Sequence, residues 1–355
     1  MKKYIIPALV LFLCAYIALK LVSQTHPEST AFEADYSEEK QKGAHIFGFR
    51  DTLDLGSLED KGFNWVTFVP YGSQRDSKSA EIRQRRGDSS EMKRRNEYWI
   101  QSIVDARKAG FKVFLKPHIW MFSPEPGKWR SDIYPENDEN WTLWSKSYRD
   151  FILRYAEIAE KAEAEMYCVG TELTMLSKKK PKFWREVISD VKKIYSGKIT
   201  YAANWYEEYE NITFWDDLDY IGIQAYFPLV NQDYPSVEQI SKGWEKYLDD
   251  IVKVSKKYNK QVLFTELGYK SSPDGATKPW EWVDYSTEDE LIVSEETQAN
   301  SYQAFFDMVW EKEWFIGMHL WQWRTDNRGR RGKVEVDFTP RGKLAEEVIA
   351  RRFKE

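Results

Sequence analysis

Eight short apolar runs, each rich in β-branched and aromatic residues, recur along the chain with polar or helix-like segments between them. The runs cover residues 44–49, 63–71, 111–120, 166–172, 199–205, 219–226, 261–266 and 315–321. Runs of this length and composition are typical of buried parallel strands. Eight strands that alternate with helices predict an α/β fold, a single (β/α)8 TIM barrel, in which functional side chains collect at the C-terminal strand ends.

The main competing architecture is a doubly wound parallel sheet. Such a sheet usually carries a glycine-rich phosphate turn after its first strand, and the segment Phe47-Gly48-Phe49-Arg50-Asp51 contains no such turn. The sequence also has no P-loop and no paired histidine or cysteine motif, with only 4 His in total. We therefore expect a barrel that uses neither a metal nor any other cofactor.

The N-terminal residues differ from the rest of the chain. Met1-Lys2-Lys3 precedes the apolar run 4–19, and Lys20 and a polar stretch follow it. This pattern predicts a signal peptide or N-terminal membrane anchor at 1–22, a polar linker at 23–43 and a catalytic barrel at 44–355. We expect an exported protein, either periplasmic, extracellular or membrane-anchored through residues 4–22. Cys14 allows lipid attachment, although the preceding Leu11-Phe12-Leu13 lacks the usual small residue.

Charge and aromatic content limit the classes of partner. The net charge is −5, and residues 1–24 contribute three lysines and no acid, so the barrel itself is more acidic than the whole chain. An acidic surface disfavours nucleic acid. Aromatic residues make up 16 % of the chain, more than core packing usually needs, and the surplus suits a cleft that stacks on rings. We expect a monomer that binds an oligo- or polysaccharide.

Two of the predicted strands end on glutamate. Strand four ends Gly170-Thr171-Glu172 and strand seven ends Phe264-Thr265-Glu266. These strand ends face each other across the mouth of a barrel, so the two carboxyl groups can converge. Glycoside hydrolysis uses such a pair, with one group protonated and the other ionised; a separation of about 5 to 5.5 Å gives retention, and about 6.5 to 9.5 Å leaves room for an attacking water. From spacing alone, rim ion pairs with Lys116 or Arg50 explain the glutamates equally well.

Aromatic side chains at the predicted strand ends favour the functional interpretation. A packed core does not require aromatic residues at these positions, whereas the apolar faces of sugar rings stack on them. The residues are Trp120, Trp205, Tyr226, Trp321 and Trp323.

Three segments carry a more specific resemblance. The segments 168–173, 263–269 and Leu115-Lys116-Pro117-His118-Ile119-Trp120 resemble signatures of glycoside hydrolase family 113, whose members are β-mannanase-like retaining enzymes of clan A. The segment 337–343 also resembles the closing motif of many clan A barrels. The resemblance implies that Glu172 is the acid/base and Glu266 the nucleophile. It further implies that Tyr226 contacts the nucleophile and that Trp321 forms the floor of the −1 subsite.

One residue departs from the wider clan. Most clan A enzymes have Asn immediately before the acid/base, where it contacts the 2-hydroxyl of the sugar, and this chain has Thr171 there, as the family does. Another group must then make the contact. Asn204 at the end of strand five is the first candidate, followed by Gln224 and His118. Strand alternation places Phe114, Lys116 and His118 on one face of strand three.

These observations predict a retaining glycoside hydrolase that cleaves β-1,4-mannosidic linkages in mannan or manno-oligosaccharides. The alternatives are a clan A hydrolase of another β-glycan such as β-glucan, and a non-catalytic surface barrel that binds glycans. Two retained glutamates disfavour the binding protein, because binding alone needs no acid and nucleophile. A lyase or aldolase would need a Schiff-base lysine or metal ligands, and Lys116 is the candidate lysine.

Overall fold

The computed structural model describes residues 39–48, 55–84, 89–286, 291–325 and 336–355. Ten parallel strands are present in these ranges: β1 (Gln41–Phe47), β2 (Trp65–Phe68), β3 (Tyr71–Gln74), β4 (Lys112–Leu115), β5 (His118–Met121), β6 (Met166–Thr171), β7 (Lys198–Asn204), β8 (Tyr220–Gln224), β9 (Val262–Leu267) and β10 (Phe315–Arg324). Eight of them close into a barrel in the order β1-β10-β9-β8-β7-β6-β4-β2, and β3 pairs with β5 outside it. The predicted barrel is confirmed.

Helices cover the outside of the barrel. They are α1 (Gly56–Glu59), α2 (Ser89–Lys108), α3 (Asp138–Lys161), α4 (Thr174–Lys179), α5 (Pro181–Lys192), α6 (Val237–Tyr258), α7 (Glu295–Phe305) and α8 (Leu344–Lys354). Ser236 shows why α6 begins where it does. Its side chain accepts a hydrogen bond from the Gln239 backbone N–H, and the Gln239 side chain accepts one from the Ser236 backbone N–H, which is a capping box.

The second and third predicted strands are each broken in two by a proline. Pro70 separates β2 from β3, and Pro117 separates β4 from β5. Proline has no backbone N–H to donate to the ladder, so a strand bends or ends there. The result is a two-stranded extension, β3 with β5, that rises from the barrel mouth beyond the second and third strands.

Other boundaries also differ from the sequence expectation. The prediction that a helix follows every strand is wrong at one place. Residues 205–219, between β7 and β8, contain no helix longer than the 3-10 turn Trp215–Asp217. Strand β1 begins at Gln41, inside the segment predicted as linker, and β10 continues to Arg324. The predicted signal or anchor at 1–22 lies outside the described residues. Among the described residues, no helix has the length and apolar character needed to cross a membrane.

The barrel interior is built in layers. Towards its N-terminal end, inward-facing side chains from seven strands form one apolar cluster: Trp65, Phe114, Met166, Cys168, Ala202, Tyr220, Leu263 and Ile316. His319 packs against this cluster, with its ring 5.0 Å from that of Phe114, and contacts Thr67 Oγ1 at 2.6 Å and Gln41 Oε1 at 2.9 Å. A second apolar cluster of Val69, Tyr226, Trp321 and Phe338 lies at the mouth. This layering raises the functional residues to the C-terminal rim.

Candidate active site

A cleft of about 590 Å³ opens at the C-terminal mouth of the barrel, as the fold predicts. Both strand-end glutamates, Glu172 and Glu266, line it. The other lining residues are His118, Trp129, Arg130, Asn204, Trp205, Tyr206, Gln224, Tyr226, Trp280, Glu281, Trp282, Trp321 and Phe338. The two strand-end acids therefore lie in one cleft whose walls are largely aromatic.

Glu266 is held by donors on both of its oxygens. Tyr226 Oη donates to Glu266 Oε2 at 2.6 Å, and Lys116 Nζ donates to Oε1 at 2.5 Å. Lys116 is fully buried, and its other two hydrogen bonds go to Gln224 Oε1 at 3.0 Å and the Thr265 carbonyl at 3.2 Å. Burial lowers the pKa of Lys116, and the negative charge of Glu266 opposes that effect. Glu266 is thus fixed in one orientation beside a cation.

Close packing requires a glycine at position 268, immediately after β9. A Cβ at Gly268 would lie 2.2 Å from the Trp321 carbonyl oxygen. Only glycine allows the end of β9 to approach β10 so closely, since a contact of that length is sterically forbidden. The approach brings Glu266 and the Trp321 ring to the same part of the cleft.

Glu172 has a different environment. Trp129 Nε1 donates to its Oε2 at 3.3 Å, and Arg130 Nε lies 3.5 Å from the same oxygen. Burial raises the pKa of the Glu172 carboxyl, the nearby Glu266 charge raises it further, and Arg130 partly opposes both. A proton is therefore held more readily on Glu172 than on an ordinary glutamate.

The backbone at Glu172 lies in the left-handed region, with φ of 54°. For a residue with a Cβ this conformation costs about 1 to 3 kcal/mol, and such strain collects at functional sites. Hydrogen bonds on both sides hold it: Glu172 N donates to the Ala202 carbonyl at 2.8 Å, and Leu173 N donates to Tyr201 Oη at 2.8 Å. The strained turn aims the carboxyl into the cleft.

His118 and Arg130 connect the two acids along one wall of the cleft. Arg130 Nη1 donates to His118 Nδ1 at 2.8 Å, so the ring proton is on Nε2, which lies 3.7 Å from Glu266 Oε1. Burial lowers the pKa of His118 well below its ordinary value, and the Arg130 and Lys116 charges add to that shift. The imidazole is therefore neutral, and it stacks parallel to Trp321 with ring centroids 6.2 Å apart.

A third acid, Glu208, is buried behind Glu172. It accepts hydrogen bonds from Tyr201 Oη (2.6 Å), Ser177 Oγ (2.7 Å), Asn204 N (2.7 Å) and Thr174 Oγ1 (3.1 Å). Tyr201 in turn holds the backbone next to Glu172, and Thr174 accepts from Asn204 Nδ2 at 2.8 Å. Glu208 therefore ties α4, the helix that follows β6, to the end of β7.

Glu208 should make stability depend on pH. Burial raises the pKa of Glu208 from 4.5 to about 7. Between pH 4.5 and pH 7, Glu208 is therefore protonated in the folded protein and ionised in the unfolded chain. Its contribution is complete below pH 4.5 and is lost as the pH rises through 7. In Glu208→Gln we expect the fall in the free energy of unfolding between pH 5 and pH 8 to be smaller by about 2 to 3 kcal/mol than in the unmodified protein.

Denaturant unfolding at the two pH values measures this difference. Glu207→Gln is the matched control, because Glu207 is the neighbouring glutamate and its side chain is 73 % exposed. An equal pH dependence in Glu208→Gln and the unmodified protein would contradict the assignment.

Most residues predicted for the site line the cleft together. They are Glu172, Glu266, His118, Asn204, Trp205, Tyr226 and Trp321, with the secondary candidate Gln224. The rim ion pair proposed for Glu266 is also present, because Lys116 contacts it, whereas Arg50 lies outside the described residues. The shared face of Phe114, Lys116 and His118 is confirmed, since all three point towards the barrel interior or the cleft.

Two tryptophans lie elsewhere. Trp120 is 41 % exposed on β5 and is not among the cleft-lining residues. Trp323, which the sequence predicts at the rim, is fully buried, with its ring centroid 5.5 Å from that of Phe63. The register between β1 and β10 shifts here, with Ala44 opposite Leu320 and Ile46 opposite Trp323. The extra residue on β10 is a bulge, which turns Trp323 to the other face of the strand.

Residues of two long loops complete the cleft and were not identified from the sequence. Trp129 and Arg130 follow β5, and Trp280 and Trp282 follow β9. Trp280 stacks on Trp205 with ring centroids 5.3 Å apart, and Trp282 contacts Trp321 edge-on at 6.1 Å. The sequence signal that could have identified the tryptophans is their position in loops after barrel strands, because those loops surround the mouth. Within the part of the chain that the structure describes, no group of His, Cys, Asp and Glu side chains is placed to hold a metal ion.

Several solved structures of glycoside hydrolases superpose on this chain. A GH113 β-1,4-mannanase structure in complex superposes with a TM-score of 0.74 at 28 % identity, covering 90 % of this chain and 100 % of that chain. GH113 β-mannanase AaManA from Alicyclobacillus acidocaldarius, in complex with ManMIm, gives 0.73 at 26 %, covering 90 % and 99 %. An uncultured Clostridium sp. β-glucuronidase shares only the fold, with a TM-score of 0.56 at 18 % identity over 89 % of this chain and 50 % of that chain. A search of curated proteins found no match.

The family comparison covers most of the barrel. The model of Glycoside Hydrolase Family 113 matches residues 49–343, which include Glu172, Glu266 and every aromatic residue that lines the cleft. The match extends over far more than half of the sequence, so the chain belongs to glycoside hydrolase family 113.

Proposed function

We propose that the protein is a retaining endo-β-1,4-mannanase in which Glu266 is the nucleophile and Glu172 the acid/base. One observation carries the proposal: two buried strand-end glutamates line one aromatic cleft in opposite environments, Glu266 beside a cation and Glu172 with a raised pKa. Glycoside hydrolysis requires this difference between its two carboxyl groups. Solved structures described as GH113 β-1,4-mannanases, similar over the whole barrel, support the choice of substrate.

In the first step Glu266 attacks the anomeric carbon while the carboxyl proton of Glu172 passes to the glycosidic oxygen. The bond to the leaving sugar breaks, and a covalent glycosyl ester forms on Glu266. Tyr226 and Lys116 hold the attacking carboxylate in position through their hydrogen bonds. The burial that raises the pKa of Glu172 keeps its proton available.

In the second step Glu172 acts as a base instead of an acid. Glu172, now ionised, takes a proton from water as the water attacks the anomeric carbon, and the ester bond to Glu266 breaks. The product keeps the β configuration, and Glu172 regains its proton for the next cycle. Arg130, 3.5 Å from Glu172, stabilises the ionised form between the two steps.

The contact to the 2-hydroxyl is assigned to Asn204. Thr171 is buried, its hydroxyl lies 3.8 Å from Cys168 Sγ, and it does not line the cleft. Asn204 lines the cleft, and its side chain donates one hydrogen bond, to Thr174. An amide side chain has two N–H donors and an acceptor oxygen, so donors and acceptors remain for a sugar hydroxyl.

Incubation with mannohexaose, cellohexaose and laminarihexaose tests the proposed function. We expect mannohexaose to be cleaved at internal linkages, with the β anomer of the new reducing end appearing first by NMR and the α anomer following by mutarotation. Initial α anomer would contradict double displacement. Faster cleavage of cellohexaose or laminarihexaose would favour another β-glycan, and tight binding without cleavage would favour the binding barrel.

Export through the N-terminal segment is a separate part of the proposal. The basic start and the apolar run at 4–19 support it. Expression of the full chain in a bacterial host, followed by fractionation and mass spectrometry of the N-terminus, tests the assignment. Retention of residues 1–22 in the membrane fraction indicates an anchor, and their loss indicates a signal peptide. An intact cytosolic chain would contradict export.

A further inference from the structure

The extension formed by β3 and β5 has two different faces. One face packs on α3: a Cβ at Gly72 would lie 2.9 Å from the Phe151 ring, and Trp144 Nε1 donates to Gln74 Oε1 at 3.0 Å. The opposite face carries Tyr71, Trp120 and Phe122, which are 41 %, 41 % and 51 % exposed. We call these three side chains the outer aromatic face. Tyr71 pairs with His118, so these two residues lie on the same face of the extension. Trp120 and Phe122 follow His118 at intervals of two residues and therefore lie on that face too.

The outer aromatic face is continuous with the cleft. The Trp120 ring contacts the Trp129 ring edge-on, with centroids 6.0 Å apart, and Trp129 both lines the cleft and donates to Glu172. The Tyr71 ring lies 5.7 Å from that of His118, another cleft residue. A chain that leaves the cleft past Glu172 and Trp129 therefore meets Trp120 next.

The chemistry of this surface suits a sugar chain. Arg83 lies beside it, its guanidinium 5.8 Å from the Phe122 ring, and Ser73 is half-buried between Tyr71 and the strand end. Aromatic faces that stack on sugar C–H groups are thus combined with hydrogen-bond donors for hydroxyls. From His118 to Phe122 the strand rises roughly 13 Å, which is longer than a single pyranose ring.

We propose that the outer aromatic face, together with Arg83, is an additional glycan-binding surface that holds the part of a polysaccharide substrate extending beyond the cleft. The proposal rests on the proposed function, because it takes the same glycan chain to occupy the cleft. It gives the exposed Trp120 a role outside the cleft that the catalytic steps do not require.

The test uses the full chain with Glu266→Gln, so that substrate binds without being cleaved. Binding of mannotriose and of soluble mannan is measured by calorimetry and affinity electrophoresis, before and after adding Trp120→Ala with Phe122→Ala. We expect affinity for mannan to fall about fivefold to tenfold, and clearly more than affinity for the trisaccharide. Tyr98→Ala is the matched control, since Tyr98 is also 41 % exposed but lies on α2.

The outcomes separate the two proposals. If the parent variant binds mannan and the two alanine substitutions leave that affinity unchanged, the outer aromatic face does not bind glycan. Equal weakening for mannan and mannotriose would place Trp120 inside the cleft and would also overturn the inference. No mannan binding by the parent variant would instead overturn the choice of substrate.

Discussion

Glu266→Gln should lower the turnover of mannohexaose by at least about 1,000-fold, the order of loss seen when an enzymatic nucleophile is removed. An amide cannot form the glycosyl ester, although it can still accept the hydrogen bond from Lys116. The variant should also be less stable, because Lys116 keeps its buried position without the charge that now compensates it. Turnover is therefore measured well below the unfolding temperature of the variant.

Azide provides the control that separates lost chemistry from lost folding. In Glu266→Ala, space opens where the carboxylate lay, and a small anion there attacks the anomeric carbon directly. Since this is one displacement, the rescued product should be the α-glycosyl azide. Activity near that of the unmodified protein without azide would contradict the role of Glu266.

Glu172→Gln should lower the turnover of mannohexaose by about 100-fold to 10,000-fold, the usual contribution of a general acid/base. With an aryl mannoside whose leaving group needs no proton, formation of the glycosyl ester should be largely preserved. Because Glu172→Gln also lacks the base of the second step, the comparison uses kcat/KM, which for the aryl mannoside reports formation of the ester. The value for the aryl mannoside should be largely preserved, while the value for mannohexaose should fall.

The same variant makes a prediction about pH. Glu172 must be protonated for the first step, and burial raises its pKa, so activity on mannohexaose should fall on the alkaline side as the pH rises through that raised value. In Glu172→Gln the residual activity on mannohexaose should no longer show this alkaline limb. In Glu172→Ala, azide should give the β-glycosyl azide, since attack on the ester then inverts a second time. An alkaline limb that persists in Glu172→Gln would assign it to another group.

The barrel, and the position of Glu172 and Glu266 at its mouth, could be predicted from the sequence for a physical reason. Buried parallel strands must be apolar along their length, so a glutamate at the end of such a run marks the rim, and closure of the barrel brings strands four and seven together. The interpretation of Glu266 as an ion-paired residue and its interpretation as a catalytic residue proved compatible, because Lys116 contacts it inside the cleft.

What the sequence could not provide depends on register and on loop paths. Trp321 and Trp323 are two residues apart and should share a face, but the bulge in β10 separates them, and a bulge leaves no mark in the pattern of apolar residues. Arg130 reaches Glu172 and His118 only because the loop after β5 folds back over the cleft. Glu208 is one of three glutamates in the segment 207–210, and the sequence alone does not distinguish it from the other two; its four hydrogen-bond donors identify it as the buried one.

The most direct test of the account is to trap the covalent intermediate. A 2-deoxy-2-fluoro mannoside with a good leaving group slows both steps, because the electron-withdrawing fluorine destabilises the oxocarbenium-like transition states, while the leaving group keeps the first step fast enough for the ester to accumulate. Peptide mass spectrometry of the labelled protein should find the fluorosugar on Glu266. Label on any other carboxylate, or no label in a protein that hydrolyses mannohexaose, would contradict the assignment of Glu266 as the nucleophile.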